Sequence, residues 1–211
     1  VNLLIRCSQL SKIMAEPKSK SEALSVGAKT FLTNLAKQGV YGYQEEITSK
    51  YMTKGIVCEQ QSIDLYNAVN FTSLQKNAER REDGLLTGEC DLIVPGAFGV
   101  DVKTSWSLAT FPVLVEDCDT IDYEYQARGY MRLWDVSEWR IAFCLVSTPD
   151  DLIGYEQPEL HSVDHIPENM RVTEIVYKRD MAIEEKIVAK CKAAQSFYVD
   201  AVRRIMECHN T

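Results

Sequence analysis

The chain has 211 residues, 45% of them apolar and 26% charged, which suits one medium-sized domain with a full core. Lys and Arg number 23 against 31 Asp and Glu, a formal charge of −8, which argues against broad coating of nucleic acid but permits segregated charge. No apolar run approaches the roughly 20 residues that span a membrane, and the patch from Val1 to Ile5 is too short for a signal peptide, with Arg6 behind it rather than ahead.

The chain starts at Val1, and a few residues are expected ahead of it. The seven cysteines stand singly at positions 7, 58, 90, 118, 144, 191 and 208, with no CxxC pair. That weakens zinc-ribbon and iron–sulfur readings. An odd count in an ordinary composition predicts free thiols in a reducing compartment, the cytoplasm.

Asn2 to Arg6 reads as a short extended segment. Ser8 resembles an N-cap for a brief helix, SQLSKIM, ending before Pro17. A second helix is expected from about Glu22 to Gln38, stopped by Gly39. Thr53 is the expected cap of a third, from about Gly55 to Asn70, with Ile56, Ile63, Leu65, Tyr66 and Val69 as its apolar set. Phe71 to Leu74 reads as a strand. Leu85 to Val94 and Phe98 to Thr104 flank a Pro95-Gly96 turn and read as a hairpin. Ser105 to Cys118 is a loop, and Asp119 or Thr120 caps a helix from about Ile121 to Val136. WRIAFCLVS, Trp139 to Ser147, is a continuous apolar strand suited to the middle of a sheet. A long acidic connection, Thr148 to Asn169, precedes a strand at Arg171 to Tyr177 and an amphipathic helix from Met181 to about Glu207. This order predicts an α/β fold, a mixed sheet flanked by helices on both faces. It forms one domain over 1–211: an N-terminal helical segment (1–54), a core (55–148), and an acidic loop, strand and long helix (149–211).

The hairpin carries the chemistry. Side chains alternate faces along a strand, so Glu89 and Asp91 are expected on one face of the first arm, and Asp101 and Lys103 on one face of the second. Such a charge cluster is costly to bury for packing alone and makes sense around a divalent cation. The pattern is D-x9-D-x-K. Two carboxylates, with the backbone carbonyl of Val102 between them, suit Mg²⁺ through hard oxygen ligands, and Lys103 can orient a water or stabilise negative charge. Alone the pattern is common, its bland alternative a solvated hairpin face. Glu59 adds an upstream helical carboxylate, and Gln126 and Tyr130 share one face of the next helix at i, i+4.

In this order, G-x3-E (Gly55 to Glu59), GECD, VDVK and YQARGY (Tyr125 to Tyr130) resemble the PD-(D/E)XK nuclease superfamily, with its restriction-endonuclease-like core. The Q-x3-Y helix resembles its RecB-like and lambda-exonuclease-like branch. The resemblance covers roughly Gly55 to Thr148 and extends more weakly to Arg6-x-Ser8. Cys90 stands where a proline often precedes the aspartate, and Asp101 replaces a frequent glutamate. The resemblance implies that Glu59, Asp91 and Asp101 bind Mg²⁺, with Mn²⁺ as substitute, and that Lys103 is catalytic. Glu89 is the runner-up ligand. Gln126 and Tyr130 line the site, Gln126 contacting Lys103 or a phosphate. Arg6 and Ser8 bind a phosphate, such as a 5′-terminal one, and Thr104 and Ser105 reach phosphate oxygens. Trp106 or Phe111 stacks on a base or, as their commoner use, packs the core.

The implied activity is 5′-to-3′ digestion of linear double-stranded DNA ends, in the cytoplasm of a phage-infected or prophage-bearing bacterium. The implied partners are a single-strand annealing recombinase and copies of the chain in a ring, with no membrane. Three alternatives stay open: a structure-specific or single-strand endonuclease, a non-catalytic DNA-end-binding or interaction module, and an acidic DNA mimic. His161-x3-His165 has metal-ligand spacing but is expected to be solvated in its acidic loop, and His209 carries no inference.

Overall fold

The structure, a computed structural model, describes residues 3–45 and 48–208; Val1, Asn2 and His209 lie outside them. In chain order the elements are β1 (Ile5–Arg6), α1 (Ser11–Met14), α2 (Val26–Tyr41), α3 (Lys50–Val57), α4 (Glu59–Asn70), β2 (Arg80–Glu82), β3 (Leu86–Glu89), β4 (Leu92–Val94), β5 (Phe98–Thr104), α5 (Val115–Cys118), α6 (Ile121–Trp134), β6 (Glu138–Cys144), α7 (Asp150–Ile153), β7 (Val172–Lys178) and α8 (Met181–Cys208). The main sheet runs β4-β5-β6-β7, with β5 and β6 parallel and the outer pairs antiparallel. A smaller sheet, β1-β3-β2, adjoins it in sequence. The expected mixed α/β architecture is therefore present.

Register decides where the chemistry points. On β5, Val100 and Val102 face α4, where they pack with Ile63, Leu65, Tyr66, Ala142 and Cys144. Asp101 and Lys103 alternate with them and pair in register with Ile141 and Phe143, on the α6 side. That side is backed by α6, α1, α2 and α8, whose core includes Leu10, Leu32, Met131, Trp134, Trp139 and Ile187. Gly99 is required at the start of β5, because a Cβ there would lie 2.1 Å from the Trp139 ring. Thr120 caps α6 by accepting the Tyr123 N–H at 3.3 Å, which fixes the helix that presents Gln126 and Tyr130. Six of the seven cysteines are buried and all are free, so most act as small apolar packing residues. Among the described residues no helix is long and apolar enough to cross a membrane.

Several expected elements differ. The first hairpin arm is two strands in two sheets, broken at Cys90 and Asp91. Asn77 causes the break: its backbone N–H donates to the Asp91 carbonyl at 2.7 Å and its side-chain amide to the Cys90 carbonyl at 3.1 Å, replacing sheet pairing. Glu89 and Asp91 therefore do not share the face of one strand. The helix expected over 55–70 is two helices meeting at buried Cys58, capped by Ser49 rather than Thr53, and Ile56 is exposed. No strand forms at Phe71 to Leu74; Phe71 is an exposed left-handed helix end, φ 54°, and the strand lies further on at β2. The second helix runs later than expected, from a Ser25 cap to left-handed Gly42. Gly39 sits inside it because its bare Cα admits the Tyr198 hydroxyl. Ser8 lies inside a 3₁₀ turn and caps nothing.

The acidic loop is fastened rather than free. His161 is buried, not solvated: its Nδ1 meets Thr148 Oγ1 at 2.9 Å and its Nε2 meets Glu156 Oε2 at 3.2 Å. Glu156 also accepts from Trp106 Nε1 at 2.9 Å and pairs with Lys50. Hydrogen bonds from Lys50, Trp106 and His161 hold its carboxyl down at about 2. A depressed carboxylate stabilises the fold above its unfolded pKa and loses that contribution as pH falls toward the folded one. The loop anchor is therefore expected to release between about pH 4 and about 2. Acid titration of tryptophan fluorescence checks this, and E156Q should remove that step.

Lys54 is fully buried, and all three of its ammonium protons are used: on the carbonyls of Ser105 (2.7 Å), Trp106 (2.9 Å) and Val146 (2.8 Å). Burial draws the group down to about 8, while the three carbonyls suit its charged form. It ties α3 to the ends of β5 and β6, just beyond Lys103. K54M leaves the Ser105 and Val146 carbonyls without this donor, while the Trp106 carbonyl keeps Thr148 Oγ1 at 3.0 Å, and is expected to cost about 2 kcal/mol, read by urea unfolding.

Candidate active site

A cleft of about 780 Å³ opens beside β5. Its lining includes Glu59, Glu89, Asp91, Asp101, Val102, Lys103, Thr104, Ser105, Gln126 and Tyr130. The fold thus brings these expected residues together from the N-terminus of α4, the β3–β4 break, β5 and α6. Glu59 arrives as the first residue of α4, where a carboxylate favours the helix dipole.

The centre of the cleft is a network. The Lys103 ammonium forms an ion pair with Asp101 and donates to Gln126 Oε1 at 3.3 Å. Gln126 Nε2 reaches Asp101 Oδ1 and the Tyr130 hydroxyl, each at 3.5 Å. Tyr130 in turn donates to the Glu89 carbonyl at 2.9 Å. Lys103 also lies 5.0 Å above the Tyr123 ring. Asp91 Oδ2 accepts the Val102 N–H at 2.6 Å, which clamps the break against β5.

Burial and the neighbouring Asp101 push the Asp91 carboxyl well above the usual carboxylate range. Desolvation works to lower Lys103, but the charge and hydrogen bond of Asp101 more than offset it, and the ammonium is held above the ordinary lysine range. Its pairing with Asp101 favours the ammonium form of Lys103, which suits it to charge stabilisation.

The donor set fits a hard divalent cation in kind. Asp101 Oδ2 is buried without a hydrogen-bond donor of good geometry, its one close partner being the Lys103 charge. Glu59 is drawn aside by Lys76, and among the described residues no three acidic, thiol or imidazole side chains form a ready-made cage. Mg²⁺ needs none, since it is usually held by one or two carboxylates with water and substrate oxygens.

Arg6 and Ser8 lie in a neighbouring pocket of about 260 Å³ with Arg80 and Thr87, and Glu89 and Tyr130 line both spaces. Thr104 Oγ1 bonds Ser62 at 2.8 Å, and Ser105 Oγ is buried without a partner. Trp106 and Phe111 are buried: Trp106 is bound to Glu156, and Phe111 packs with Leu145 and Val163. Glu89 is exposed, its carboxylate on Arg80 at 3.2 Å. Sequence reading missed Lys76, Asn77, Arg80 and Tyr123. Only Tyr123, one turn from Gln126 at i−3, carried a local signal.

An Asp-x-Lys strand, a second Asp at the preceding break and a Gln-x3-Tyr helix closing on the lysine define a site of the PD-(D/E)XK nuclease class. No protein-family model matches the chain, and no curated protein does. Among solved structures, a phage-related exonuclease from Haemophilus somnus 129PT is 34% identical over 97% of both chains, with a TM-score of 0.91. An alkaline exonuclease from Laribacter hongkongensis, LHK-Exo, is 12% identical, covering 97% of this chain and 92% of its own, with a TM-score of 0.71. The same enzyme in complex with dAMP gives 14% identity, the same coverage and a TM-score of 0.69. The chain belongs to the lambda-exonuclease-like family of PD-(D/E)XK nucleases.

Proposed function

We propose that this nuclease is a Mg²⁺-dependent exonuclease that digests linear duplex DNA from 5′ ends. The observation that carries the reading is the Asp101–Lys103–Gln126 network placed next to the Arg6 pocket, the two spaces joined at Glu89 and Tyr130. Asp91 and Asp101 would hold the cation, with the Val102 carbonyl and Glu59 as further oxygens. When bound, a divalent cation there polarises the phosphodiester and makes the attacking water more acidic; Mn²⁺ serves as substitute.

Lys103, held cationic, stabilises charge that builds on the phosphate oxygens. Gln126 fixes the direction of that ammonium, and Tyr130 fixes Gln126. Thr104, at the end of β5, contacts a phosphate oxygen, whereas the Ser105 hydroxyl is buried and does not reach one. Arg6, which makes no side-chain hydrogen bond or ion pair among the described residues, holds the terminal phosphate with Ser8. Hydrolysis breaks the bond from phosphorus to the 3′ oxygen, releases a 5′-mononucleotide and leaves a new 5′-phosphate for the same pocket. The dAMP complex of the Laribacter enzyme supports a cleft that takes nucleotides.

The reading extends to a ring of several copies, by which a chain of charge −8 retains DNA through enclosure, and to a single-strand annealing recombinase that takes the exposed strand. Both act in the cytoplasm of a phage-bearing bacterium, as the phage-related relative supports. Duplex labelled at either strand end tests the polarity: a 5′ label should leave at once as mononucleotide while a 3′ label stays on long strands. The reverse order would overturn it.

A further inference from the structure

The small sheet builds a charged row that none of the roles above uses in full. In register, Arg6 stands opposite Thr87 and Arg80 opposite Glu89. Thr87 and Glu89 are two apart on β3, so all four side chains share one face. The opposite face is closed: a Cβ at Gly88 would meet the Tyr130 ring at 2.5 Å. Glu82 continues the row beyond Thr87 but does not line the pocket.

The two arginines differ in state. Arg6 has no partner among the described residues, whereas Arg80 is engaged by Glu89 at 3.2 Å, in a pair with side chains 57% and 41% exposed. We infer that Arg80 is a second ligand for the terminal phosphate and that Glu89 is a specificity-determining residue which competes with that phosphate for Arg80. This rests on the Arg6 pocket being the terminal-phosphate site. A phosphomonoester dianion offers two or more oxygens, enough for both guanidiniums. Glu89 sets the strength of the hold: its carboxylate repels the dianion and occupies a donor the dianion needs. A terminal hydroxyl neither suffers that repulsion nor needs Arg80. The carboxylate therefore reduces the preference for phosphorylated ends that two arginines alone would give. Glu89 acts on the substrate end in this assignment, not on the cation.

The test compares kcat/KM on duplexes ending in 5′-phosphate or 5′-hydroxyl for wild type, E89Q, R80Q and R6Q. Anisotropy binding of the same duplexes in EDTA and melting curves accompany it. E89Q should raise the phosphate-to-hydroxyl ratio up to about fivefold, the scale of one exposed ion pair, through KM and through binding in EDTA. R80Q and R6Q should each lower the ratio. If E89Q slows both substrates alike with the ratio unchanged, or lowers it, while R6Q still lowers it, the role of Glu89 is overturned and the phosphate pocket stands. If neither arginine variant alters the ratio, the pocket reading fails and this assignment falls with it.

Discussion

K103A is expected to lower kcat on linear duplex at least about 10³-fold, the scale of losing a fixed charge-stabilising donor. DNA binding in EDTA should change no more than about threefold, because one ammonium at the cleft floor adds little to a contact spread along the backbone. The separation follows from the geometry: Lys103 is turned inward onto Asp101 and Gln126, not toward the rim. The substitution also removes the charge beside a carboxylate that is 3% exposed. A buried charge left alone costs several kcal/mol, so a lower Tm accompanies the lost activity. K103R distinguishes the two effects. Its guanidinium restores the charge and recovers stability, but its planar fork cannot occupy the point where one nitrogen meets both Asp101 and Gln126, so activity stays low.

D91N is expected to abolish activity and divalent-cation binding while making the protein more stable in EDTA. Burial and the neighbouring charge of Asp101 oppose ionisation of Asp91, and its carboxyl is pushed up to about 8. Asparagine keeps the acceptor for the Val102 N–H and removes the repulsion. The gain is on the order of 1 kcal/mol, which for a chain of this size raises Tm by about 2–4 °C. Wild type should gain stability on adding Mg²⁺, and D91N should not. Calorimetry and melting in EDTA and Mg²⁺ read this without any nuclease assay. A D91N protein that melts below wild type in EDTA would show that the carboxylate is structural rather than functional.

What could be read from the sequence was local. Asp101 and Lys103 are two apart on one strand, Gln126 and Tyr130 one helical turn apart, and those spacings transfer directly into shared faces. The middle strand was legible because β6 is buried on both faces. What failed depended on distant partners. The break before Asp91 is made by Asn77, in an irregular segment fourteen positions away. Strand β2 is Arg-Arg-Glu and carries no apolar alternation, so the arginine that faces Glu89 had no visible strand to sit on. Lys54 looks like a surface lysine of an amphipathic helix; only three carbonyls from two other segments explain its burial. His161 likewise needs Thr148 and Glu156 to become an interior residue.

End-labelled linear duplex and covalently closed circular duplex, incubated with purified protein in Mg²⁺ or EDTA, test the account most directly. The account predicts that linear DNA is consumed to mononucleotides in Mg²⁺, that closed circles stay intact, and that EDTA stops the reaction. Cutting of closed circles, or undiminished digestion in EDTA, would contradict it.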